Sequence, residues 1–358
     1  MSLTSFKKPP PTLFDSLERP ASRQEEIQPA VLVFRVGSRE LRTSPVFASY
    51  WQLAYERQEM FFRRLRRQPA PWTNDPILLR HKFTNAYRAA DRTSQYLIRK
   101  VIYRQDLPTS PKEVVFRILL FKLFNKIETW QHLEQACGQL TFENYSYARY
   151  DGILSRLLQA NRQIYSAAYM MPPGGREFGH ERKHQNHLRL LERMMADDLP
   201  ERLGQAASLN EVFTLLRAYP TIGDFLAYQY AIDINYSPVL NFSENDFVVA
   251  GPGARDGIEK CFVTTQGVEH THIIQAMMEQ QAAQFSRLGV QFQSLWGRPL
   301  QLIDCQNLFC EVSKYARVKH PTIIGNSGRT RIKQLFSATP GEIDFFFPPK
   351  WQLAVSTL

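Results

Sequence analysis

The sequence lacks several features that would each identify a class of protein. No apolar run approaches the ~20 residues that cross a bilayer, and the first twenty residues contain no apolar core like that of a signal peptide. The four cysteines form no C-x-x-C pair and no cluster with zinc or iron–sulfur spacing. The phosphate-binding pattern G-x-x-x-x-G-K-[ST] is also absent. We therefore expect a soluble, cytoplasmic protein without metal or cofactor, which is not itself a P-loop kinase.

The charge balance is strongly positive. Lys and Arg number 44 against 34 Asp and Glu, which gives a net charge of +10 and an isoelectric point near 9.4. A basic protein favours a polyanionic partner, and nucleic acid is the commonest of these. A generically basic protein without such a partner has the same composition, so the charge alone leaves both interpretations open.

The pattern of the chain predicts a mainly α fold with at most a small β ribbon. Residues 1–28 are rich in proline and polar residues and are predicted to form a disordered or extended arm. The β-prone run AVLVFRV, residues 30–36, is the source of the ribbon. Residues 29–358 are predicted to be a single helical catalytic unit, or two lobes (about 29–200 and 201–358) with the active site between them. Helices are predicted over residues 47–67, 81–104, 112–137, 150–170, 183–198, 270–295 and 300–320.

Basic residues gather at the end of the first predicted helix. Arg63 and Arg66 belong to a run of four arginines within residues 63–67. Cations near a helix C-terminus are favourable for the helix dipole alone. They are equally suited to the phosphates of DNA, and both interpretations stay open.

The helix predicted over residues 81–104 carries a polar face among aromatic residues. Arg88, Asp91 and Arg92 are spaced at i, i+3 and i+4, so a helix would place them on one side. Asn85 lies one turn earlier. A polar stripe is usually exposed to solvent, but here it also fits the wall of a pocket. Similarly, Asp304, Asn307 and Glu311 share a face of the helix predicted over residues 300–320, which either packs against the body or lines the site.

The segment from residue 217 to residue 260 combines a tight turn, an apolar helix, a polar loop and a second Gly/Pro turn. Pro220 cannot continue a helix and Gly223 can adopt a positive φ, so a helix, a hairpin and a second helix are predicted. The free N–H groups at the start of the second helix favour a DNA phosphate. Thr221, Ile222 and Gly223 are the predicted contacts. An ordinary corner between two helices is the alternative.

This order of elements resembles the helix-hairpin-helix DNA glycosylase superfamily. The hairpin reads Tyr219-Pro220-Thr221-Ile222-Gly223, with Thr221 in place of the first hairpin glycine, and Asn245-Asp246-Phe247-Val248 matches the acidic motif. Bifunctional members have a lysine soon after the hairpin, where this sequence has Asp224-Phe225-Leu226. The resemblance therefore implies a helix-hairpin-helix glycosylase-like fold and a monofunctional enzyme.

A second resemblance covers most of the chain. It is to the branch that contains the α-glutamyl/putrescinyl thymine pyrophosphorylases, the helical domain of 5-hydroxymethyluracil DNA kinases, and anti-phage DNA glycosylases. The segments that carry it are FTNAYRAADRTSQYLIR (83–99), FKLFNKIETW (121–130), FLAYQ (225–229), NDFVVAGPGARDGIEKCF (245–262) and LIDCQNLFCEVSKY (302–315). The resemblance implies a modified pyrimidine in phage DNA, hydroxymethylated or hypermodified, as the target.

From these resemblances we predict a DNA glycosylase that flips out a modified pyrimidine, excises it and leaves an abasic site, in anti-phage defence. Asp246 would stabilise the oxocarbenium-like sugar and orient the attacking water. Asp256 is the rival carboxylate, although an aspartate after a Gly/Pro turn is just as often a helix N-cap. The base pocket is predicted from hydrogen-bonding and stacking groups and from glycines that let backbone approach a ligand: Asn85, Arg88, Asp91, Tyr228, Gln229, Gly251 and Gly253.

Two other functions are kept as alternatives. One is a transferase that displaces pyrophosphate from an activated 5-hydroxymethyl group and attaches an amino acid or amine. The other is a non-catalytic DNA-binding module. In each case the partner is DNA, with no membrane and a monomeric protein expected, and the predicted DNA contacts are Thr221, Ile222, Gly223, Arg92, Arg63 and Arg66.

Overall fold

The computed structural model describes residues 32–337 and residues 345–354. The arm predicted over residues 1–28 lies outside the described residues. The described residues all fall within one unit, Val31–Leu358. The catalytic role of that unit and its division into two lobes stay predictions.

Fifteen α-helices and one two-stranded ribbon form the main regular structure of the described residues, which confirms the predicted mainly α fold with a small β ribbon. The strands are β1 (Val33–Val36) and β2 (Arg39–Arg42). The first eight helices are α1 (Pro45–Leu65), α2 (Pro76–Arg80), α3 (Arg92–Tyr96), α4 (Pro111–Phe124), α5 (Ile127–Cys137), α6 (Tyr147–Gln159), α7 (Gly175–Phe178) and α8 (Lys183–Ala196). The others are α9 (Leu199–Gly204), α10 (Leu209–Arg217), α11 (Asp224–Asn235), α12 (Pro252–Cys261), α13 (His270–Glu279), α14 (Gln281–Arg287) and α15 (Leu302–Lys319). Short 3₁₀ turns and a π-helix complete the set, at Arg88–Ala90, Pro349–Trp351 and Leu97–Ile102.

The ribbon is antiparallel and pairs Val33 with Arg42. Gly37 in its turn has a φ of +56°, in the left-handed region that glycine adopts without steric cost. The ring of Phe34 lies 5.1 Å from the ring of Phe47. This contact fixes the ribbon to α1.

Helices α4 and α11 form the centre of the fold because they are apolar on almost every face. Residues 113–124 of α4 and residues 226–235 of α11 are all buried. Both helices nevertheless bury charge, and Lys122 of α4 pairs with Asp233 of α11. A buried charge is costly unless it is paired, so this pair indicates a polar site inside the core.

Helices α12 and α15 lie in unusually close contact. A Cβ atom added at Gly257 would lie 2.0 Å from the carbonyl oxygen of Phe309. Only glycine permits this approach of one helix backbone to another. The contact brings the polar residues of α12 and α15 into one layer beside α1.

The single helix predicted over residues 81–104 is wrong. Within this range, residues 81–87 are not helical. The helical part begins with the 3₁₀ turn Arg88–Ala90 and ends with the π-helix Leu97–Ile102. Asp91 separates the 3₁₀ turn from α3 and is extended, with φ −69° and ψ 145°. Arg88 and Asp91 therefore do not share a helix face, and their positions are decided by separate contacts.

Three other predicted helices are shorter than expected. The helix predicted over residues 270–295 is divided into α13 and α14 and ends at Arg287. The helix predicted over residues 112–137 breaks at Asn125, which has a φ of +48° and accepts a hydrogen bond from Lys122 at 2.8 Å. Asparagine is one of the few residues that tolerate this conformation. The helix predicted over residues 150–170 ends at Gln159, which leaves the following residues as a loop.

The described residues contain neither a membrane-spanning helix nor a metal-binding cluster. None of their helices combines the length and apolar character needed to cross a membrane. No group of three or more His, Cys, Asp or Glu side chains among them is arranged to hold a metal ion.

Candidate functional site

A group of charged side chains lies buried where α4, α11 and the 3₁₀ turn meet. The guanidinium of Arg88 donates to both carboxylate oxygens of Asp233, at 2.7 and 2.9 Å, and its Nε donates to Gln229 at 2.9 Å. The ammonium of Lys122 lies 3.0 Å from the same carboxylate. Arg88, Lys122 and Asp233 are only 2%, 3% and 1% exposed. We call Arg88, Lys122, Gln229 and Asp233 the Arg88 cluster.

The Arg88 cluster contains two cations and one carboxylate. Burial disfavours ionisation of Asp233, but the charges of Arg88 and Lys122 outweigh burial and lower its pKa. Burial also lowers the pKa of Lys122, and the Asp233 carboxylate opposes this. The cluster therefore has an excess of one positive charge only in the state in which Lys122, whose pKa is lowered, carries its proton. An excess positive charge in a buried site attracts an anionic or electron-rich group.

The ring of Tyr169 covers the Arg88 cluster. It comes from the loop between α6 and α7, and its φ of +56° is unusual for an aromatic residue. The ring centroid is 4.6 Å from the ammonium of Lys122 and 5.9 Å from the guanidinium of Arg88. The ring also lies parallel to that of Phe225, at 5.8 Å and 6°. Two stacked aromatic rings therefore lie beside the excess positive charge.

Two predicted glycines lie against this aromatic pair and its surroundings. A Cβ atom at Gly251 would lie 2.5 Å from the ring of Phe225, and one at Gly253 would lie 3.0 Å from the sulfur of Cys310. We predicted that the backbone at these glycines lies close to a ligand. In the structure it lies close to protein side chains instead. Gln306, which accepts a hydrogen bond from Gln229 at 3.3 Å, continues the wall.

Asp91 is a half-buried carboxylate near the same ring. It accepts a hydrogen bond from the backbone N–H of Asn85 at 2.7 Å. Burial raises the pKa of Asp91 to about 7, and the nearby Glu311 carboxylate adds to the rise, while the Asn85 N–H and the charge of Arg57 oppose it. A carboxyl group with this pKa can accept or release a proton near neutral pH.

Charged groups near the Tyr169 ring influence the pKa of its hydroxyl. Burial raises the pKa of Tyr169 to about 12, and Arg88, Asp91 and Asp233 are among the charged groups that act on it. The structure therefore brings predicted pocket residues Arg88, Asp91 and Gln229 into one neighbourhood. Asn85 lies at its edge, where its side chain accepts from Arg57 at 2.9 Å.

Tyr228, also predicted for the pocket, is completely buried. Its ring packs edge-on against Phe247 at 5.8 Å. Its hydroxyl has no hydrogen-bond partner among the described residues. Burial raises its pKa, and the nearby carboxylate of Glu244 adds to the rise.

The predicted hairpin forms the corner between α10 and α11. The positive φ, +70°, falls on Thr221. Gly223 is instead extended, with φ −80° and ψ 173°, and is the N-cap of α11. The expectation that Gly223 supplies the positive φ is therefore wrong. Ile222 is buried and donates its N–H to Tyr219. DNA contact by Thr221, Ile222 and Gly223 stays a prediction.

The three predicted DNA-binding arginines are distributed over the surface. Arg63 donates to the carbonyl of Trp72 at 2.9 Å, and Arg66 donates to Gln293 at 3.0 Å. Arg92 lies 3.8 Å from Glu128 in an exposed pair. Their contact with DNA stays a prediction.

The two predicted catalytic carboxylates lie in contrasting surroundings. Asp246 is exposed in the loop between α11 and α12. Asp256 is 3% exposed within α12 and accepts hydrogen bonds from the hydroxyl of Ser313 and, at 2.8 Å, from the N–H of Ser327. Lys260 lies 3.1 Å from it. The N-cap of α12 is Gly251, so the alternative of Asp256 as an N-cap is wrong.

The prediction missed five residues of this neighbourhood: Lys122, Tyr169, Phe225, Asp233 and Gln306. Two of them had a signal in the sequence. Lys122 interrupts FRILLFKLF and Asp233 interrupts AYQYAIDIN, and a charge inside an apolar helix needs a partner. Tyr169 had no such signal, because its position depends on the path of an irregular loop.

Comparison with known proteins assigns the chain to a family. The family described as "5-hmdU DNA kinase, helical domain" matches residues 44–325. The chain belongs to this family. A relative named "5-hmdU DNA kinase", from Bacillus phage SP10, is 25% identical over 276 residues, which cover 73% of this chain and 43% of the phage protein. The match thus spans less than half the length of that relative. No solved structure matches the chain.

These findings correct the predicted function. The resemblance to the 5-hmdU DNA kinase helical domain is confirmed. The predicted hydrolytic DNA glycosylase is wrong, because the family and the relative are both named as kinases. The two alternative predictions, a transferase of amino acids or amines and a non-catalytic DNA-binding module, did not include a kinase either. The roles assigned to Asp246 and Asp256 in base excision are not carried forward, and membership of the helix-hairpin-helix glycosylase superfamily stays a prediction.

Proposed function

We propose that this chain acts in the phosphorylation of 5-hydroxymethyl-deoxyuridine in DNA, by binding the DNA and holding the modified base beside the Arg88 cluster. The family and the named relative support a kinase reaction on this nucleoside. The observation that carries the proposal is the combination of stacked rings, excess positive charge and a half-buried carboxylate at one place. The proposal concerns the nucleic-acid side of the transfer, to which these groups are suited.

The base would be held by stacking and by amide hydrogen bonds. A nucleotide inside a duplex has to leave the stack before side chains can reach its functional groups. Tyr169 and Phe225 supply parallel aromatic faces. Gln229 and Gln306 are adjacent buried amides that bond to Arg88, to each other and to Cys310. An amide offers one acceptor and one donor group, which match the N3–H and O4 of a uracil ring, so the base would bind by replacing some of these partners.

Asp91 would act on the hydroxyl of the 5-hydroxymethyl group. In the transfer, the hydroxyl oxygen bonds to phosphorus as the bond from phosphorus to the leaving oxygen of a nucleoside triphosphate breaks. The proton of the hydroxyl goes to a base, the role that an aspartate has in protein kinases. The pKa of Asp91, raised by burial to about 7, allows it to accept that proton at neutral pH. The excess positive charge of the Arg88 cluster would stabilise the charge that develops nearby.

The DNA strand would cross the corner between α10 and α11. The first N–H groups of α11 are available to a phosphate there, as at other helix N-termini. Asp224 at the start of α11 is held by Arg217 at 2.5 Å in an exposed ion pair, which reduces its repulsion of a phosphate. This placement keeps the predicted hairpin contact within the kinase proposal.

The test uses the purified chain and three duplexes that differ only in one base: 5-hydroxymethyluracil, thymine or uracil. Binding is measured by fluorescence anisotropy, and transfer by incubation with labelled ATP and magnesium followed by mass spectrometry of the nucleosides. We expect tighter binding to the hydroxymethyl duplex and phosphate only on that nucleoside. Equal affinity for all three duplexes together with no transfer would overturn the proposal. Release of a free base would also overturn it, because that product is formed by excision and not by phosphorylation.

A matched pair of variants locates the activity. Lys122→Met removes the excess charge of the Arg88 cluster and keeps a side chain of similar length, whereas Lys112→Met removes a lysine at the start of α4, where its ammonium lies over Phe142 at 4.8 Å. We expect the first to weaken discrimination for the hydroxymethyl duplex and the second to leave it unchanged. Equal effects would argue against the Arg88 cluster as the base site.

A further inference from the structure

A separate cleft of about 680 Å³ opens beside the π-helix. This volume lies in the range of sites for small molecules and cofactors. π-helical turns interrupt regular helices at a cost and are frequent at functional sites. The residues of the cleft that carry the argument are Tyr96, Arg99, Lys100, Tyr103, Arg104 and Phe346.

The walls of the cleft have an excess of positive charge. Three cations and two carboxylates line it. Arg104 pairs with both carboxylates, since it donates to Asp106 at 2.7 Å and also to Glu134. The other two cations of the wall, Arg99 and Lys100, are consecutive on the π-helix.

A buried guanidinium behind the wall adds to this charge. Arg117 is fully buried, and its Nε donates to the carbonyl of Val101 in the π-helix at 3.1 Å. Its two terminal nitrogens have no hydrogen-bond partner among the described residues, and the nearest carboxylate, that of Glu113, is 3.9 Å away. Arg104 and Asp106 of the cleft are among its electrostatic neighbours. Unused donors in a buried cation are costly, and their charge favours an anion in the adjacent cleft.

Aromatic rings and two glutamine side chains form the rest of the surface. The ring of Tyr103 is 5.5 Å from that of Phe346, and its hydroxyl donates to the carbonyl of Tyr236 at 2.8 Å. Tyr96 stacks on Phe121 at 5.8 Å and 18°. These contacts hold the rings in place, so that a ligand does not have to order them. Aromatic faces next to cations are the usual combination for nucleotides.

We propose that this cleft binds a nucleoside phosphate, with the base against Tyr103 and Phe346 and the phosphate on Arg99 and Lys100. A mononucleotide and one nucleotide of a DNA strand share this chemistry. The site is distinct from the Arg88 cluster, although both contact Tyr236: Tyr103 donates to its carbonyl and Arg88 to its hydroxyl at 3.1 Å. The binding requires only a base and a phosphate, so it does not depend on the proposed phosphorylation.

The experiment measures binding of two probes to the full chain: ATP by calorimetry, and a short oligothymidine by fluorescence anisotropy at low and high salt. The test variant is Lys100→Glu, because Lys100 is exposed and lies on the cleft. The control is Arg39→Glu, an equal change of charge in the exposed ribbon. We expect Lys100→Glu to weaken at least one probe about tenfold, as loss of a charge-assisted contact does, and Arg39→Glu to have no effect.

The two probes separate the sources of the ligand. Weakening of ATP alone assigns the cleft to a mononucleotide, and weakening of the oligonucleotide alone assigns it to the DNA strand. A stacking control compares Tyr103→Phe, which keeps the ring, with Tyr103→Leu, which removes it; only the second should weaken the probe that binds. The proposal is overturned if neither probe binds, or if Lys100→Glu and Arg39→Glu act equally. The preference for 5-hydroxymethyluracil is measured in parallel and should survive Lys100→Glu, so that failure here is distinguishable from failure of the proposed function.

Discussion

Asp91 and Asp256 are both aspartates of the predicted site, yet their surroundings move their pKa values in opposite directions. Burial raises the pKa of Asp91 to about 7. Burial also acts against the charge of Asp256, but hydrogen bonds from Ser313 and Ser327 and the nearby ammonium of Lys260 lower its pKa to about 2. The same type of side chain therefore has a pKa near neutrality in one place and a pKa below its ordinary value in the other.

The difference lies in the number of donors and cations in contact. Asp256 is bound by a hydroxyl, a backbone N–H and an ammonium. Asp91 accepts one backbone N–H and lies near a second carboxylate, that of Glu311. Full pairing stabilises a charge and makes it structural, whereas incomplete pairing leaves a proton available for exchange. This comparison favours a structural role for Asp256 and is consistent with the proton-acceptor role that we propose for Asp91.

The largest expected effect tests the structural half of the comparison. Asp256→Ala would leave the ammonium of Lys260, which is 2% exposed, without its carboxylate. We expect a loss of about 3–5 kcal/mol in the free energy of unfolding, the usual result of breaking a buried ion pair. Urea denaturation measures it. Asp224→Ala, in the exposed pair with Arg217, is the control and should cost no more than about 1 kcal/mol; equal losses would show that Asp256 is not a structural charge.

The next effect tests the chemical half. Asp91→Asn keeps an oxygen that can accept from Asn85 but removes the proton acceptor. We expect the rate of phosphoryl transfer to 5-hydroxymethyl-deoxyuridine to fall by about 10²–10⁴, the range of general-base contributions, with DNA affinity unchanged. Asp246→Asn, in an exposed loop, should leave the rate unaltered. If Asp91→Asn retained the full rate, or if it lost affinity and not rate, the proton-acceptor role would be excluded.

The smallest expected effect is a pH dependence of the free energy of unfolding, to which Asp91 and Asp256 contribute with opposite signs. The folded pKa of Asp91 is raised, so the folded state binds its proton more tightly than the unfolded state, and stability falls as pH rises from about 4 to about 7. The folded pKa of Asp256 is lowered, so its contribution is present above about pH 4 and is lost as pH falls toward 2.

Urea unfolding at several pH values checks these signs. Asp91→Asn should flatten part of the decline between about pH 4 and 7. A decline from Asp304 should remain, because burial, and after it the Glu244 carboxylate, raises the pKa of Asp304 to about 7 as well. An unchanged slope in Asp91→Asn would contradict the raised pKa of Asp91.

Local patterns in the sequence predicted the helical class, the β-prone ribbon segment and the corner before α11. Those features depend on neighbours within a few residues: the period of apolar positions, the proline at 220 and the N-cap preference of the chain. The sequence also named Arg88, Asp91 and Gln229 as pocket residues, and the resemblance to the kinase helical domain is confirmed. We took the same resemblance to imply base excision. That inference failed because proteins that share a scaffold can perform different reactions.

Only the tertiary structure decided which charges meet. Arg88 and Asp233 are 145 positions apart, and Asp256 and Ser313 are 57 apart. Helical periodicity carries no information on such pairs. It also predicted one continuous helix through Arg88 and Asp91, where the helical structure is interrupted at Asp91. Whether a carboxylate is structural or reactive depends on donors brought from distant segments, since each donor shifts the balance between burial and charge. For that reason the sequence could name candidate polar residues, whereas the packing of α4, α11, α12 and α15 decided which of them are paired and with which partners.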